Sequence, residues 1–149
     1  MMAAIDGPRR SHRMESNGVR EFLKQNHRTV LATFRGDGGL QMSPVLAVLD
    51  GDGKLAISSR GTAYKVRNLR RDPRASLCVL NDGFFGQWAF VEGTAEIVSL
   101  PDAMDGLVDY YRRAAGEHPD WGEYREAMQK DRRVLVKITI ERAGPTREG

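Results

Sequence analysis

With 149 residues, 40% of them hydrophobic, the chain is expected to form one domain that buries roughly 68–70% of the surface its unfolded form would expose. Its 23 Lys and Arg against 20 Asp and Glu give a net charge of +3, but residues 1–13 carry three Arg and one Asp, which leaves only +1 on the other 136 residues. A body that close to neutral argues against a long nucleic-acid groove, the single cysteine excludes an internal disulfide, and no apolar run is long enough to span a bilayer.

The first thirteen residues, MMAAIDGPRRSHR, lack the apolar segment of a secretion signal and read as a flexible basic arm, so a cytoplasmic location is expected. The domain proper is expected over 14–142, with 143–149 as a tail. Glu15 to Asn26 predicts a helix with Val19, Phe22 and Leu23 on one face. Arg28 to Arg35 predicts a strand ending at the Gly36-Asp37-Gly38-Gly39 turn. Leu40 to Asp50 predicts the next strand, closed by Gly51-Asp52-Gly53, and Lys54 to Ser59 the third. A short basic helix follows, stopped by Asp72-Pro73, and Arg74 to Asn81 returns as strand four. Cys78 sits inside that apolar strand and reads as a small core residue in a reducing compartment.

Phe84 to Leu100 predicts a long fifth strand or a bent pair, with Gly86 and Gly93 as bulge or bend points. Pro101 and Asp102 open a helix with Met104, Leu107, Val108 and Tyr111 on one stripe, closed by Gly116. Another helix runs from Asp120 to Lys130 with Trp121, Tyr124 and Met128 on one side. In the last strand, Arg133 to Glu141, only Leu135 breaks the polar face. Six strands in turn-linked hairpins with peripheral helices predict a mainly β (α+β) fold, a small six-stranded antiparallel barrel.

Metal and nucleophilic chemistry find little support. His12, His27 and His118 have no second ligand at metal spacing, and the calcium-like start Asp50-Gly51-Asp52-Gly53 reaches Gly61 where a bidentate Glu is needed. The stretch Ser58 to Arg74 stands out instead: six of its seventeen residues are basic and only Asp72 is acidic. Charge alone would be satisfied by a solvated face. Three details point to a bound anion. Thr62 is placed to cap the helix, which puts Lys65 in the first turn beside free backbone N–H groups. Ser58, Ser59 and Arg60 arrive at the same end, and Asn68 adds an amide one turn on. Along the second strand, Gln41, Ser43 and Pro44 read either as an irregular edge or as groups lining the rim of a planar heterocycle. Trp88 reads as core packing or as the wall of a flat pocket.

These residues resemble the split-barrel family of flavin and deazaflavin enzymes related to pyridoxamine 5'-phosphate oxidase, and within it the actinobacterial branch that uses coenzyme F-420. The likeness is carried by Val30-Leu31-Ala32-Thr33, Gln41-Met42-Ser43-Pro44-Val45, the run Lys65 to Ser76, Val91-Glu92-Gly93-Thr94-Ala95, and the segment Tyr111 to Arg133 with Ala115-Gly116-Glu117-His118 and Asp131-Arg132-Arg133-Val134-Leu135. It implies a split barrel, a homodimer with the cofactor at the subunit interface, and phosphate binding by Lys65 with Ser58, Arg60 and Asn68 nearby. It also implies that Gln41, Ser43 and Pro44 lie along the ring and that Trp88 faces the cleft. The C-terminal Glu141-Arg142-Ala143-Gly144-Pro145 departs from the Arg-Leu-x-Pro-type substrate segment of the oxidases, which argues against pyridoxal phosphate synthesis.

The resulting expectation is a reductase that passes hydride from reduced F-420 to an unsaturated organic acceptor, the cofactor carrying the chemistry and no protein side chain serving as nucleophile. FMN is the alternative cofactor, and a non-catalytic F-420 carrier the alternative role. Arginines beyond those needed for one phosphate suit the acidic tail of F-420. Neither nucleic acid nor membrane is expected as a partner.

Overall fold

A computed structural model describes residues 18–144 and the backbone of residues 147–148; the basic arm and the first residues of the expected N-terminal helix lie outside the described residues. Twelve elements follow in chain order: α1 (18–25), β1 (Arg28–Phe34), β2 (Leu40–Leu46), β3 (Val48–Leu49), β4 (Leu55–Arg60), α2 (Tyr64–Arg71), β5 (Arg74–Leu80), β6 (Gln87–Val98), α3 (Met104–Ala115), α4 (Trp121–Lys130), β7 (Arg133–Ala143) and β8 (Arg147–Glu148). No helix among the described residues is long and apolar enough to cross a membrane.

The strands make one antiparallel sheet with the order β2-β1-β5-β6-β7-β4-β3, and β8 pairs with β6 off that path. The sheet therefore has eight strands, seven of them along the path, where the alternation predicted six. The expected second strand breaks at Ala47. Before the break it pairs with β1 and after it with β4, so one run of chain supplies both ends of the sheet. Ala47 is buried, and its N–H donates to the His27 carbonyl at 2.9 Å, which pins the corner. With its two end strands consecutive in sequence, the sheet has to curl into a half-barrel.

Period-two burial fills the inside of the curl. Leu31, Leu77, Val79, Ala89, Val91, Val134, Val136 and Ile138 share one core with Leu55 and Ile57. The apolar face of α1 (Val19, Phe22, Leu23) and that of α2 (Val66, Leu69) complete it. Each fully buried Leu, Ile or Val contributes about 1.5–3 kcal/mol. A second cluster lies on the other side of the sheet, where Leu107 and Val108 of α3 and Tyr124 of α4 cover Ala56 and Leu135. Leu135, the residue that breaks the polar face of β7, is thus the seat of this helix pair. Tyr124 donates its hydroxyl to the Leu107 carbonyl at 2.8 Å, locking α4 to α3, and burial lifts that phenol to about 12. Both helix boundaries have sequence causes: Asp120 caps α4 by accepting from the Glu123 N–H at 3.1 Å, and Gly116 ends α3 with a φ of 88°.

β7 is therefore packed on both faces. It is the element that carries the core, the helix pair and, at its first residue, the site.

Candidate functional site

The end of β4, the start of α2, the end of β2 and the start of β7 surround a cavity of about 280 Å³. It is lined by Pro44, Val45 and Leu46, by Ser58, Ser59 and Arg60, by Ala63 and Lys65, and by Arg133. Three cations and no carboxylate face it. The antiparallel register sets Arg60 directly opposite Arg133 on β4 and β7, a like-charge pair that destabilises a sheet unless an anion lies between. Lys65 is half-buried, and its ammonium is pushed below the usual lysine range by that burial and then by the positive charge of Arg133. The Nε of Arg133 is sealed from solvent without a hydrogen-bond partner, its nearest acid being the Asp131 carboxylate at 3.6 Å.

The helix end adds donors. Val66 and Arg67 donate to the Ala63 carbonyl at 3.0 and 3.2 Å, which leaves the Tyr64 and Lys65 N–H groups of the first turn without a partner among the described residues. Ala63, extended at ψ 147°, occupies the N-cap with no side-chain cap bond, so Thr62 does not cap the helix as its residue type suggested. The chain turns into α2 through backbone bonds instead: Ala63 donates to the Arg60 carbonyl at 3.1 Å and Gly61 to the Arg132 carbonyl at 3.0 Å. With these bonds in place a hydroxyl at 62 has no role to fill. Ser59 spends its own hydroxyl on the Arg60 carbonyl at 3.2 Å, and Ser58 is the hydroxyl left for a ligand.

Of the eight residues expected at a site, the cavity gathers Pro44, Ser58, Arg60 and Lys65. Asn68 is buried on the core side of α2. It donates to Thr33 Oγ1 at 3.1 Å and accepts from Arg71 at 2.9 Å, so its amide braces the helix against β1. Gln41 and Ser43 alternate inward on β2, outside the cavity lining. Gln41 accepts from Thr33 at 3.4 Å, and the Ser43 hydroxyl is buried and unpartnered. Trp88 lies on β6 opposite Leu80, also outside the lining. The remaining basic residues divide by role. Arg71 holds the Phe34 carbonyl at 3.0 Å, Arg74 pairs with Asp72 at 2.7 Å, and Arg67 lies over the Tyr64 ring at 5.6 Å. The Arg74 pair draws the Asp72 carboxyl down to about 2.

Arg133 is the residue that sequence reading missed. It opens the last strand, within a run that carries the family likeness, but only the β4–β7 register brings it to Arg60.

Residues 17–146 match the profile of the pyridoxamine 5'-phosphate oxidase family. The chain belongs to that family. Among solved structures, this pyridoxamine 5'-phosphate oxidase family member is similar to a conserved hypothetical protein of Mycobacterium tuberculosis at 26% identity, with 89% of this chain and 83% of that one covered and a TM-score of 0.72. It is also similar to an F420 reductase at 23% identity, covering 84% and 94% of the two chains with a TM-score of 0.66. A provisionally assigned pyridoxamine 5'-phosphate oxidase from Listeria innocua shares 17% identity over 87% and 95%, with a TM-score of 0.64. The family is one of flavin-binding oxidoreductases. The cavity suits the phosphate of such a cofactor: three cations, unpaired helix N–H groups, a free hydroxyl and an unsatisfied guanidinium nitrogen converge with no lining acid to repel it.

Proposed function

We propose that the protein is an F-420-dependent reductase that serves an unsaturated organic acceptor. The observation that carries this reading is the convergence of Arg60, Lys65 and Arg133 on one acid-free cavity at the first turn of α2. In it, Arg60 and Arg133 would grip the cofactor phosphate from facing strands while Lys65 and the α2 N–H groups hold it from the helix. When bound, the reduced deazaflavin supplies the hydride, so the chain itself needs to bind, orient and exclude water. Arg67 and Arg70 stay exposed on α2 and leave positive charge for the acidic extension that FMN lacks. Titrating the protein with F-420 and with FMN, followed by tryptophan quenching, is expected to show tighter F-420 binding. Tighter FMN binding overturns the choice of cofactor. Turnover of a panel of enones, quinones and tetrapyrroles is expected on top of binding, and tight binding without turnover would make the protein a carrier.

The working unit is proposed to be a homodimer. On β2 the exposed positions are Leu40, Met42, Pro44 and Leu46, while Gln41 and Ser43 turn inward, the reverse of a strand whose outer face meets water. Met42 keeps 63% of its surface exposed, and a continuous apolar row on an end strand next to the cavity suits a second copy of the same edge. Such pairing would complete a cleft that one chain leaves open, and there Gln41, Ser43 and Trp88 could approach the ring. Met42→Glu is expected to shift the protein from dimer to monomer in sedimentation velocity and to weaken cofactor binding with it. A wild-type monomer at micromolar concentration that binds the cofactor fully refutes the shared site.

A further inference from the structure

A second and larger cavity, of about 600 Å³, lies between the start of α3, the outer face of α4 and the start of β7. Its floor is apolar, with Leu100, Met104 and Val134. Its wall is cationic: Arg125 and Arg132 stand two turns apart along α4 and its C-terminal extension, with Gln129 between them, and Arg133 closes the row. No Asp or Glu lines it. Among the described residues neither Arg125 nor Arg132 has a carboxylate partner, although the neighbouring α3 pairs Arg112 with Glu117 and Arg113 with Asp109.

Two observations show that this charge is placed rather than scattered. Arg132 follows the last turn of α4 at φ 52°, a left-handed conformation that favours glycine, while its N–H donates to the Gln129 carbonyl at 3.1 Å. A helix end that glycine would close with less strain carries a guanidinium instead, turned to the cavity it lines. Arg133 contributes to both cavities, and its Nε is buried with no hydrogen bond made. Apolar floor and forked cationic wall together call for a ligand with the same two halves. The volume falls within the range of about 300–1,000 Å³ typical of small-molecule sites.

We infer that this cavity binds a small amphipathic organic acid, its carboxylate held by Arg125, Arg132 and Arg133 and its apolar body on Leu100, Met104 and Val134. A planar carboxylate matches the guanidinium fork, and a hydrocarbon body matches a floor that would otherwise hold water against apolar side chains. The neighbouring cavity, compact and lined by hydroxyls and Lys65, suits a phosphate; the two cavities share only Arg133, so the acid's site is tested on the cofactor-free protein.

Decanoate is the probe, measured by calorimetry without any cofactor present, against decanol as its uncharged counterpart. The expected result is one site per chain, with decanol at least tenfold weaker. Arg125→Ala and Arg132→Gly should each weaken decanoate by roughly five- to tenfold, the range for loss of one charge-assisted hydrogen bond at a part-exposed site. Lys65→Ala, which touches only the other cavity, should leave it unchanged. Arg132→Gly should do this without lowering the melting temperature, because glycine relieves the left-handed backbone; a merely structural Arg132 would lose stability instead. Decanol binding as tightly as decanoate, wild-type affinity in both arginine variants, or an equal loss in Lys65→Ala would each overturn the inference.

Discussion

Lys65→Ala is expected to weaken binding of the phosphate-bearing cofactor by about 1–3 kcal/mol, roughly 5- to 150-fold, and Arg133→Ala by a similar amount. Both side chains face the same small cavity, no acid lines it and only Asp131, at 3.6 Å from Arg133 behind it, offsets their charge, so an arriving phosphate replaces water and cation–cation repulsion with charge-assisted hydrogen bonds. The cost of that arrangement falls on the empty protein. Lys65 is desolvated and lies in the field of Arg133, which lowers its pKa, so the folded state holds its proton less tightly than the unfolded chain does. The unfolded state binds more protons between the lowered value and about 10.4, and stability of the cofactor-free protein therefore rises with pH across that window. Cofactor affinity runs the other way: it falls as pH climbs through the lowered Lys65 pKa, earlier than an ordinary lysine would allow. Lys65→Ala should accordingly lose affinity without losing melting temperature. Asn68→Ala should show the inverse pattern, because its amide is spent on Thr33 and Arg71 and not on the cavity. Unchanged cofactor affinity in both Lys65→Ala and Arg133→Ala would remove the cavity from the binding site.

How much of this was legible beforehand follows the range of the interactions. Local signals were read well. The alternation of β7, the Met104–Tyr111 stripe of α3 and the turn at Asp50–Gly53 depend on neighbours in sequence, and Leu135 stood out as an anomaly before its seat under α3 and α4 explained it. Within the basic stretch, Arg60 and Lys65 were singled out from the residue order, but what the other arginines do was not legible. Arg60 and Lys65 reach the cavity, whereas Arg71 and Arg74 are tied to Phe34 and Asp72 by contacts that composition does not reveal. The misses share a non-local cause. Ala47 breaks a strand because its two halves belong to opposite ends of the sheet, and no property of Leu40 to Asp50 announces that. Arg133 enters the site only through its register with Arg60. Asn68 leaves it because Thr33, on another strand, offers a buried partner.

The largest effect on the fold is expected at Gly93, where Gly93→Ala should lower stability by about 3 kcal/mol in denaturant unfolding. The pairing of β6 with β7 shifts register between Glu92 and Gly93: Glu92 faces Arg142, Gly93 faces Ile140, and Glu141 is left over on β7. At this irregularity the two backbones approach so closely that a Cβ on residue 93 would collide with the Thr139 carbonyl and press on Ile138 Cγ2 at 3.0 Å. A flexible side chain could swing aside, but a ladder carbonyl cannot move without taking its strand with it. Gly116 offers the contrast. It has φ 88° and ψ −162°, a conformation that essentially only glycine adopts, but nothing within 4 Å, so alanine there should cost the backbone strain alone, about 1–3 kcal/mol, with no collision added. Because β7 also pairs with β4 and carries Arg133 at its start, any shift that accommodates a methyl at 93 is transmitted along a strand packed on both faces. Folded Gly93→Ala is therefore expected to bind the cofactor less tightly although residue 93 touches no ligand. Stability within about 0.5 kcal/mol of wild type, the range of an ordinary surface substitution, would refute the close approach at this register.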